Sequence, residues 1–254
     1  MTSLKGRTAL ITGVGRQNGI AAAIALMLAS KGVHIFATYF QSFDARYYNT
    51  PVTEPETVLD SIRAHQVQVV GMSADLSLPT GPQHVFSTAL NHFGHIDILI
   101  NTAAYSVNSN ILSLTTNEID LHYAVNVRAM LLLCQLLARS HDGRIGGRII
   151  NFTSGHTISP MPNELPYIAT KSAIEGLTLS LSRALAPQHI TVNTIDPGAT
   201  DTGWIDEVMR EEFVKSAPFG RIGQPIDVAH LVHFLVSDQG QWITGQVIRS
   251  RGGT

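Results

Sequence analysis

The sequence predicts a doubly wound α/β fold: one domain built on a parallel sheet with helices on both faces. Three observations predict it. Short β-branched runs alternate with longer segments of helical periodicity along all 254 residues. Those runs are apolar throughout rather than alternating, the mark of strands buried on both faces. The first of them opens directly into a glycine-rich turn ahead of a helix. No repeat, low-complexity tract or compositional break divides the chain, and one α/β domain of this length is ordinary.

Seven strands are expected in order: Thr8–Thr12, His34–Tyr39, Val67–Gly71, Ile96–Ile100, Arg148–Thr153, Thr191–Ile195 and Gln246–Ile248. Right-handed crossovers joining them give a single open sheet. The intervening segments carry apolar residues at helical spacing, as in Ile20-Ile24-Met27-Leu28 and Ile174-Leu177-Leu181-Leu185. One connection stands apart. From Gln41 to Pro55 the chain places Phe43, Tyr47, Tyr48, Pro51 and Pro55 among polar residues without clear periodicity. Such units ordinarily connect in a few residues, so a long loop is expected here, either decoration or a functional lid.

Composition excludes several classes. Hydrophobic residues make up 44% and charged residues 14% of the chain, with a net charge of −2. The charged fraction is far below the roughly 25% of an average soluble domain. It excludes a disordered chain and suggests a surface partly covered by copies of itself. The balance offers no basic face for nucleic acid or anionic lipid. The single cysteine, Cys134, excludes a disulfide framework and a Cys-based zinc cage. In Met130-Leu131-Leu132-Leu133-Cys134 it reads as a buried helical hydrophobe. His92 with His95 and His230 with His233 have metal-like spacing but no further ligands nearby, so no metal is expected. The polar N-terminus lacks a signal peptide's apolar region, and no apolar run approaches the 18 or so residues of a membrane span. The expectation is a cytoplasmic protein.

The first strand runs into Thr12-Gly13-Val14-Gly15-Arg16-Gln17-Asn18-Gly19-Ile20-Ala21. In a strand-turn-helix setting, glycines let the backbone approach a pyrophosphate held on the free N–H groups of the helix. That setting makes the fold Rossmann-type. An acidic residue closing the second strand would accept hydrogen bonds from an adenosine ribose and repel a 2′-phosphate. The residue there is Tyr39, which is neutral, although Asp44 follows closely and argues the other way.

A second constellation carries chemistry. Tyr167-Ile168-Ala169-Thr170-Lys171 places a phenol and an ammonium on one helix face. A neighbouring cation favours phenolate, which lowers a tyrosine pKa from about 10 and makes the pair a general acid/base. Ser154 follows the fifth strand, where βα loops open onto the ligand-binding edge. Asn126 interrupts an apolar helix with an amide that needs buried partners.

These motifs together resemble the short-chain dehydrogenase/reductase family, over essentially the whole chain from Thr12-Gly13 to Gly252-Gly253. The glycine loop departs in having about two extra residues, Gln17-Asn18, and Ala21 in place of the last glycine. The resemblance makes Asn126, Ser154, Tyr167 and Lys171 the catalytic set, including the thirteen-residue step from Ser154 to Tyr167. It implies hydride transfer between nicotinamide and a carbonyl or secondary alcohol. Tyr167 is the proton donor, Ser154 fixes the reacting oxygen, Lys171 depresses the Tyr167 pKa and holds the nicotinamide ribose, and Asn126 anchors a water. The implied cofactor cleft comprises Gly13, Gly15, Arg16, Gly19, Ile20, Tyr39, Asp75, Leu76, Asn101, Ala103, Pro197, Gly198, Thr200 and Thr202, with Tyr167 and Lys171. Arg16 stands where NADP-using relatives bind the phosphate, so NADP is favoured and NAD is possible.

The chain looks most like the 3-oxoacyl-carrier-protein reductase and related ketone reductases. A small carbonyl or alcohol substrate follows, an acyl thioester among the candidates, with Arg128, Arg139 and Arg144 available to a carrier protein. Residues 200–218 become a substrate lid, apolar through Trp204, Ile205, Val208, Met209 and Phe213. A homotetramer built on the helices of Asn126 and Tyr167 is implied. His156 borders the reaction site and is expected to shape or polarise the substrate. Two departures lie near the chemistry: Arg251 replaces the usual aspartate before Gly252-Gly253, and Asp196 stands where a neutral residue is commoner. The competing reading is a non-catalytic NADP(H)-binding sensor on the same fold.

Overall fold

The computed structural model describes residues 4–253. The outermost residues of the expected 1–254 domain, and Met1–Ser3 of the N-terminal segment, lie outside the described residues. Seven parallel strands form one sheet: β1 (Thr8–Thr12), β2 (His34–Tyr39), β3 (Val69–Ser73), β4 (Ile98–Asn101), β5 (Gly147–Phe152), β6 (Ile190–Asp196) and β7 (Val247–Arg249). Their spatial order is β3-β2-β1-β4-β5-β6-β7. The third and fourth strands start two residues later than expected and reach further toward the ligand-binding edge. The order reverses between β1 and β4, which opens a crevice beyond the carboxyl ends of these strands.

Strand alternation divides the core. Leu10, Phe36, Leu99, Ile149 and Val192 lie in one register row across β1, β2, β4, β5 and β6. They pack with α4 (Gly81–Phe93), α6 (Met130–Ser140) and α7 (Leu165–Leu185). Their neighbours Ala9, Ile11, Ile35, Ala37, Ile98, Ile100 and Ile150 face α1 (Ile20–Ser30), α3 (Glu54–Arg63) and α9 (Pro225–Val236). Period-two backbone geometry thus buries both faces of every central strand, so the polar side chains that β5 and β6 carry, Arg148, Asn151 and Asn193 among them, are buried as well.

The segment expected as a long loop is two helices. α2 spans Gln41–Tyr48 and α3 begins at Glu54, leaving only a short connection. Phe43 and Tyr47 are four residues apart and stack tilted at 4.6 Å between centroids, an i,i+4 aromatic pair on one helical face. Asn49 ends α2 in the left-handed conformation at φ 51°. Pro55 lies in the first turn of α3, where its missing N–H costs no hydrogen bond. Local aromatic pairing and end signals therefore overrode the low apolar periodicity.

From Thr116 to Ser140 the chain is helical without a break: α5 (Thr116–His122), a π-helical stretch Tyr123–Ala129, then α6. A capping box starts it, with Thr115 Oγ1 accepting from the Glu118 N–H and the Glu118 carboxylate accepting from the Thr115 N–H. This 25-residue stretch is long and apolar enough to cross a membrane by length and composition, with a mean hydropathy of 1.4 over its most apolar 18-residue window. The sequence had shown no such run because Asp120 and Arg128 interrupt it. Its Met130, Leu133, Cys134 and Leu137 are buried in the core against the sheet.

Candidate active site

The crevice between β1 and β4 widens into a cleft of about 980 Å³. Gly13 forms its floor at φ +83°, where a Cβ would come within 3.1 Å of the Ala103 backbone. Only glycine meets both demands. Thr12 Oγ1 completes the junction by accepting from the N–H groups of Thr102 and Ala103, at 3.1 and 3.0 Å. Gly19 begins α1 without a side-chain cap, which leaves first-turn N–H groups available to an anion. Cleft-lining backbone bare of side chains at Gly13 and Gly19, over an uncapped helix, fits a dinucleotide pyrophosphate.

The two extra loop residues are turned to other tasks. The Gln17 N–H donates to Glu54 Oε1 at 2.8 Å, and Asn18 packs where a Cβ on Gly203 would sit. Arg16 is held from several sides. Its Nη1 donates to the Thr202 carbonyl at 2.9 Å, its Nε lies 3.8 Å from Asp44 Oδ1, and its guanidinium stacks 3.7 Å above the Tyr48 ring. Burial raises the Asp44 pKa, partly offset by Arg16. Asp44 was seen in the sequence only as a neighbour of Tyr39; the α2 helix brings it back onto the glycine loop.

The cleft gathers Gly13, Arg16, Gly19, Ile20, Tyr39, Leu76, Ala103, Pro197, Gly198, Thr200 and Thr202 along one wall and floor. Gly15 lies beside Asp44. Asp75 accepts from the Ser77 N–H at 2.8 Å, an Asx turn. Asn101 turns into the sheet, donating to Asn151 Oδ1 at 2.8 Å and to Cys134 Sγ at 3.6 Å. Burial pushes the Cys134 thiol up to about 12, in keeping with its reading as a core residue.

At the far end stand the chemical groups. Ser154 follows β5 and Tyr167 lies in the first turn of α7, both on the cleft wall. Lys171 is one helical turn further on, with Nζ 5.3 Å from the Tyr167 ring centroid. Its ammonium donates to the Phe152 carbonyl at 2.9 Å. Burial lowers the Lys171 pKa to about 8. Burial also raises the Tyr167 phenol above its ordinary value, reinforced by Glu164, while a hydrogen bond with Ser154 pulls the other way. In the chain by itself, desolvation disfavours the charged form of each of these two groups.

Asn126 sits in the π-helical stretch, fully buried. Its Oδ1 accepts from the Tyr105 N–H at 2.8 Å, and its Nδ2 donates to the Tyr105 carbonyl and to Thr170 Oγ1, both at 3.0 Å. The amide thus ties the loop after β4 to α7. His156 is directed elsewhere than expected: its Nε2 pairs with Ser172 at 2.8 Å, and the side chain is not among those lining the cleft. The 3₁₀ turn Gly155–Thr157 after Ser154 carries the residue onto α7.

Tyr105, Glu164 and Met161, which no sequence signal marks, line the cleft; Phe43, Tyr47 and Tyr48, expected in a connection that is either decoration or a lid, line it too, from α2. The two unusual charges near the C-terminus face each other: Arg251 Nη1 lies 3.2 Å from Asp196 Oδ2, and both are largely buried. A Cβ at Gly155 would overlap the Arg251 guanidinium, and one at Gly198 would meet its side chain at 2.9 Å. Asp196 Oδ1 also accepts from the Gly198 N–H at 3.0 Å. Pairing across the two loops was invisible in sequence because the partners are 55 residues apart. Among the described residues no cluster of three potential metal ligands occurs.

Fold, glycine cradle and Ser-Tyr-Lys geometry define a nicotinamide-dependent oxidoreductase of Rossmann type. The comparisons agree. The family model described as enoyl-(acyl carrier protein) reductase matches residues 13–254. An uncharacterized oxidoreductase of Bacillus subtilis, YjdA, is 42% identical over 100% of this chain and 98% of its own. Versicolorin reductase stcU of Emericella nidulans is 32% identical over 98% of this chain and 96% of its own. A short-chain dehydrogenase of Burkholderia cenocepacia, solved in complex with NADP, superposes with a TM-score of 0.88. It shares 32% identity and covers 99% of this chain and 98% of that one. The angucycline C-6 ketoreductase LanV with bound NADP gives 0.86 at 31% identity, over 98% and 96% of the two chains. The chain belongs to the short-chain dehydrogenase/reductase family and is an oxidoreductase.

Proposed function

We propose that the protein reduces a ketone to a secondary alcohol with NADPH. One observation carries the reading: a single cleft joins an anion-ready glycine floor and Arg16 to Ser154 and Tyr167, with Lys171 buried behind them. NADPH supplies the hydride when bound. The chain's own residues bind, orient and protonate. Gly13, Gly19 and the start of α1 take the pyrophosphate, and Arg16 takes the 2′-phosphate. The high pKa of Tyr167 keeps its phenol protonated at neutral pH, so Oη carries the proton delivered to the developing alkoxide. Ser154 Oγ donates a hydrogen bond to the same oxygen and fixes its position. Lys171 holds its ammonium beside the phenol and stabilises the charge left on it. Asn126 positions Tyr105 and Thr170 around the site rather than offering a free amide.

The likeness to the angucycline C-6 ketoreductase LanV and to versicolorin reductase stcU supports a ring ketone as substrate; the alternative is the 3-oxoacyl thioester expected from sequence. Residues 200–218 serve as the substrate lid. Trp204 and Met209 reach the cleft, and Asp206 caps the lid helix α8 (Glu207–Ser216) by accepting from the Met209 N–H at 2.8 Å. Self-association is supported by exposed apolar side chains at the β7 edge and on the α5–α6 face.

The test is oxidation of NADPH, then NADH, followed by nicotinamide absorbance with cyclic ketones, β-ketoesters and 3-oxoacyl thioesters. Faster turnover with NADPH and a ring ketone is expected. Binding of NADPH without turnover of any carbonyl would favour a sensor and overturn the proposal.

A further inference from the structure

We infer that Arg251 is a positioning residue of the reaction: paired with Asp196 behind the cleft, it packs against Gly155 and Gly198 and so fixes Ser154 relative to the cofactor-binding turn at Pro197-Gly198. The inference deepens the ketone-reductase reading and rests on it.

Topology brings the parts together. β5, β6 and β7 are consecutive neighbours in the sheet, and Ser154, Asp196 and Arg251 stand at or just past their carboxyl ends. The Thr153 N–H donates to the Ile195 carbonyl at 2.9 Å, and the Ser250 N–H donates to the Asp196 carbonyl at 2.8 Å. The three ends therefore stay tied to one another out to the sheet edge. Ser154, Pro197 and Gly198 line the cleft, whereas Asp196 and Arg251 are not among its lining residues. What the pair does for the reaction it does through those neighbours.

The contacts on both loops are close. A Cβ on Gly155 would overlap Arg251 Nη1 and stand 2.8 Å from Nη2, and the three atoms nearest to it all belong to the guanidinium. A Cβ on Gly198 would meet Arg251 Cγ at 2.9 Å. Asp196 holds the same turn through Oδ1, which accepts from the Gly198 N–H at 3.0 Å, while Oδ2 lies 3.2 Å from Arg251 Nη1. The tip of a long side chain ordinarily moves aside at little cost. Here burial and the carboxylate hold the planar guanidinium in place. Gly155 directly follows Ser154 and opens the 3₁₀ turn Gly155–Thr157, so the plane it rests on sets how Ser154 leaves β5.

The substrate lid is the competing target. Cβ atoms on Gly252 and Gly253 would stand 3.5 Å from Phe219 and 3.3 Å from Pro218, just past α8. A role through the lid would show in KM for the ketone, and one through Ser154 in the chemical step.

The experiment measures single-turnover NADPH oxidation, and steady-state kcat and KM, with cyclohexanone, 2-tetralone and ethyl acetoacetate. Rates are taken per folded chain, with folding followed by circular dichroism. Gly155→Ala should slow the single-turnover rate by about tenfold or more, since a misplacement of about 1 Å can cost on the order of 100-fold. NADPH affinity, by fluorescence titration, should change little. Arg251→Met should slow the step likewise, and Arg251→Lys, which keeps a cation beside Asp196, should recover part of the rate. Asp196→Asn combined with Arg251→Met leaves no stranded charge. It should regain Tm yet keep the slow chemical step, which a merely structural role would restore. Adding Gly155→Ala to that background should cost little more, because the guanidinium it displaces is already gone. Wild-type single-turnover rates in Gly155→Ala and in the Asp196–Arg251 double variant overturn the inference alone. So do losses that multiply when Gly155→Ala is added, or a raised ketone KM at unchanged kcat. Absence of wild-type turnover with all three ketones overturns the reductase reading and the inference with it.

Discussion

At the scale of single residues, Tyr167 and Lys171 show how burial reshapes a pair whose spacing alone suggests mutual activation. Desolvation keeps the phenol protonated and lowers the lysine to about 8. Tyr167→Phe is expected to bind NADPH within about twofold of wild type, since it removes only one hydroxyl, and to lose at least about a hundredfold in kcat. Fluorescence titration and single-turnover assays separate the two. The pH sign follows from Lys171, which is charged below its pKa and neutral above it. For ketone reduction kcat/KM should hold level below pH about 8 and fall about tenfold per unit above it. A profile flat to pH about 10, the ordinary lysine value, would show that its charge is not required. Arg16 gives a third prediction at this scale. Asp44 competes with a 2′-phosphate for the guanidinium, so Asp44→Ala should tighten NADPH several-fold and leave NADH nearly unchanged. Equal effects on both cofactors would remove Arg16 from the phosphate site.

Elements act through what they hold together. The Asp196–Arg251 pair joins the end of β6 and the C-terminal segment, and Arg251 fills the space beside Gly155 and Gly198. Breaking a largely buried pair by removing one partner strands a charge and costs about 3–5 kcal/mol. Arg251→Met should therefore lower Tm and kcat, and Asp196→Asn combined with Arg251→Met should recover much of the Tm, measured by calorimetry as a double-mutant cycle. Additive losses would show that the two do not act as a pair. The glycine turn between β1 and α1 is equally specific. Gly13→Ala meets a left-handed φ and the Ala103 backbone at 3.1 Å, which should cost at least about 1–2 kcal/mol and weaken NADPH binding.

For the whole molecule, the low charged fraction and the exposed apolar side chains point in one direction. Trp242 is 95% exposed, and Leu179, Phe234 and Val247 are exposed around the short edge strand β7. On the opposite helices a groove of about 680 Å³ is lined by Tyr123, Val127 and Leu131. Large apolar groups left in water at a sheet edge are ordinarily covered by a partner. Light scattering should give a mass several times that of one chain, and Trp242→Glu should reduce it. A wild-type monomer would overturn the expected tetramer.

Much of this protein is legible in its residues because the information is local. Apolar runs such as Thr8–Thr12 between turn signals read as doubly buried strands, the Thr12–Ala21 glycines read as a tight turn ahead of a helix, and Tyr167 and Lys171 share a face by helix geometry alone. The remainder depends on distance through space. Gln41–Tyr48 carries too little apolar periodicity to announce a helix, yet Phe43 and Tyr47 pack on Tyr105, more than fifty residues away. The same helix delivers Asp44 to Arg16 and Tyr48 beneath it. Asp196 and Arg251 read as isolated oddities until the end of β6 meets the C-terminal segment. The pKa order of Tyr167 and Lys171 follows from desolvation, which depends on how many atoms the fold packs around each group. Backbone patterning is written in neighbouring residues, whereas pairing of charges and the loss of water are properties of the folded chain.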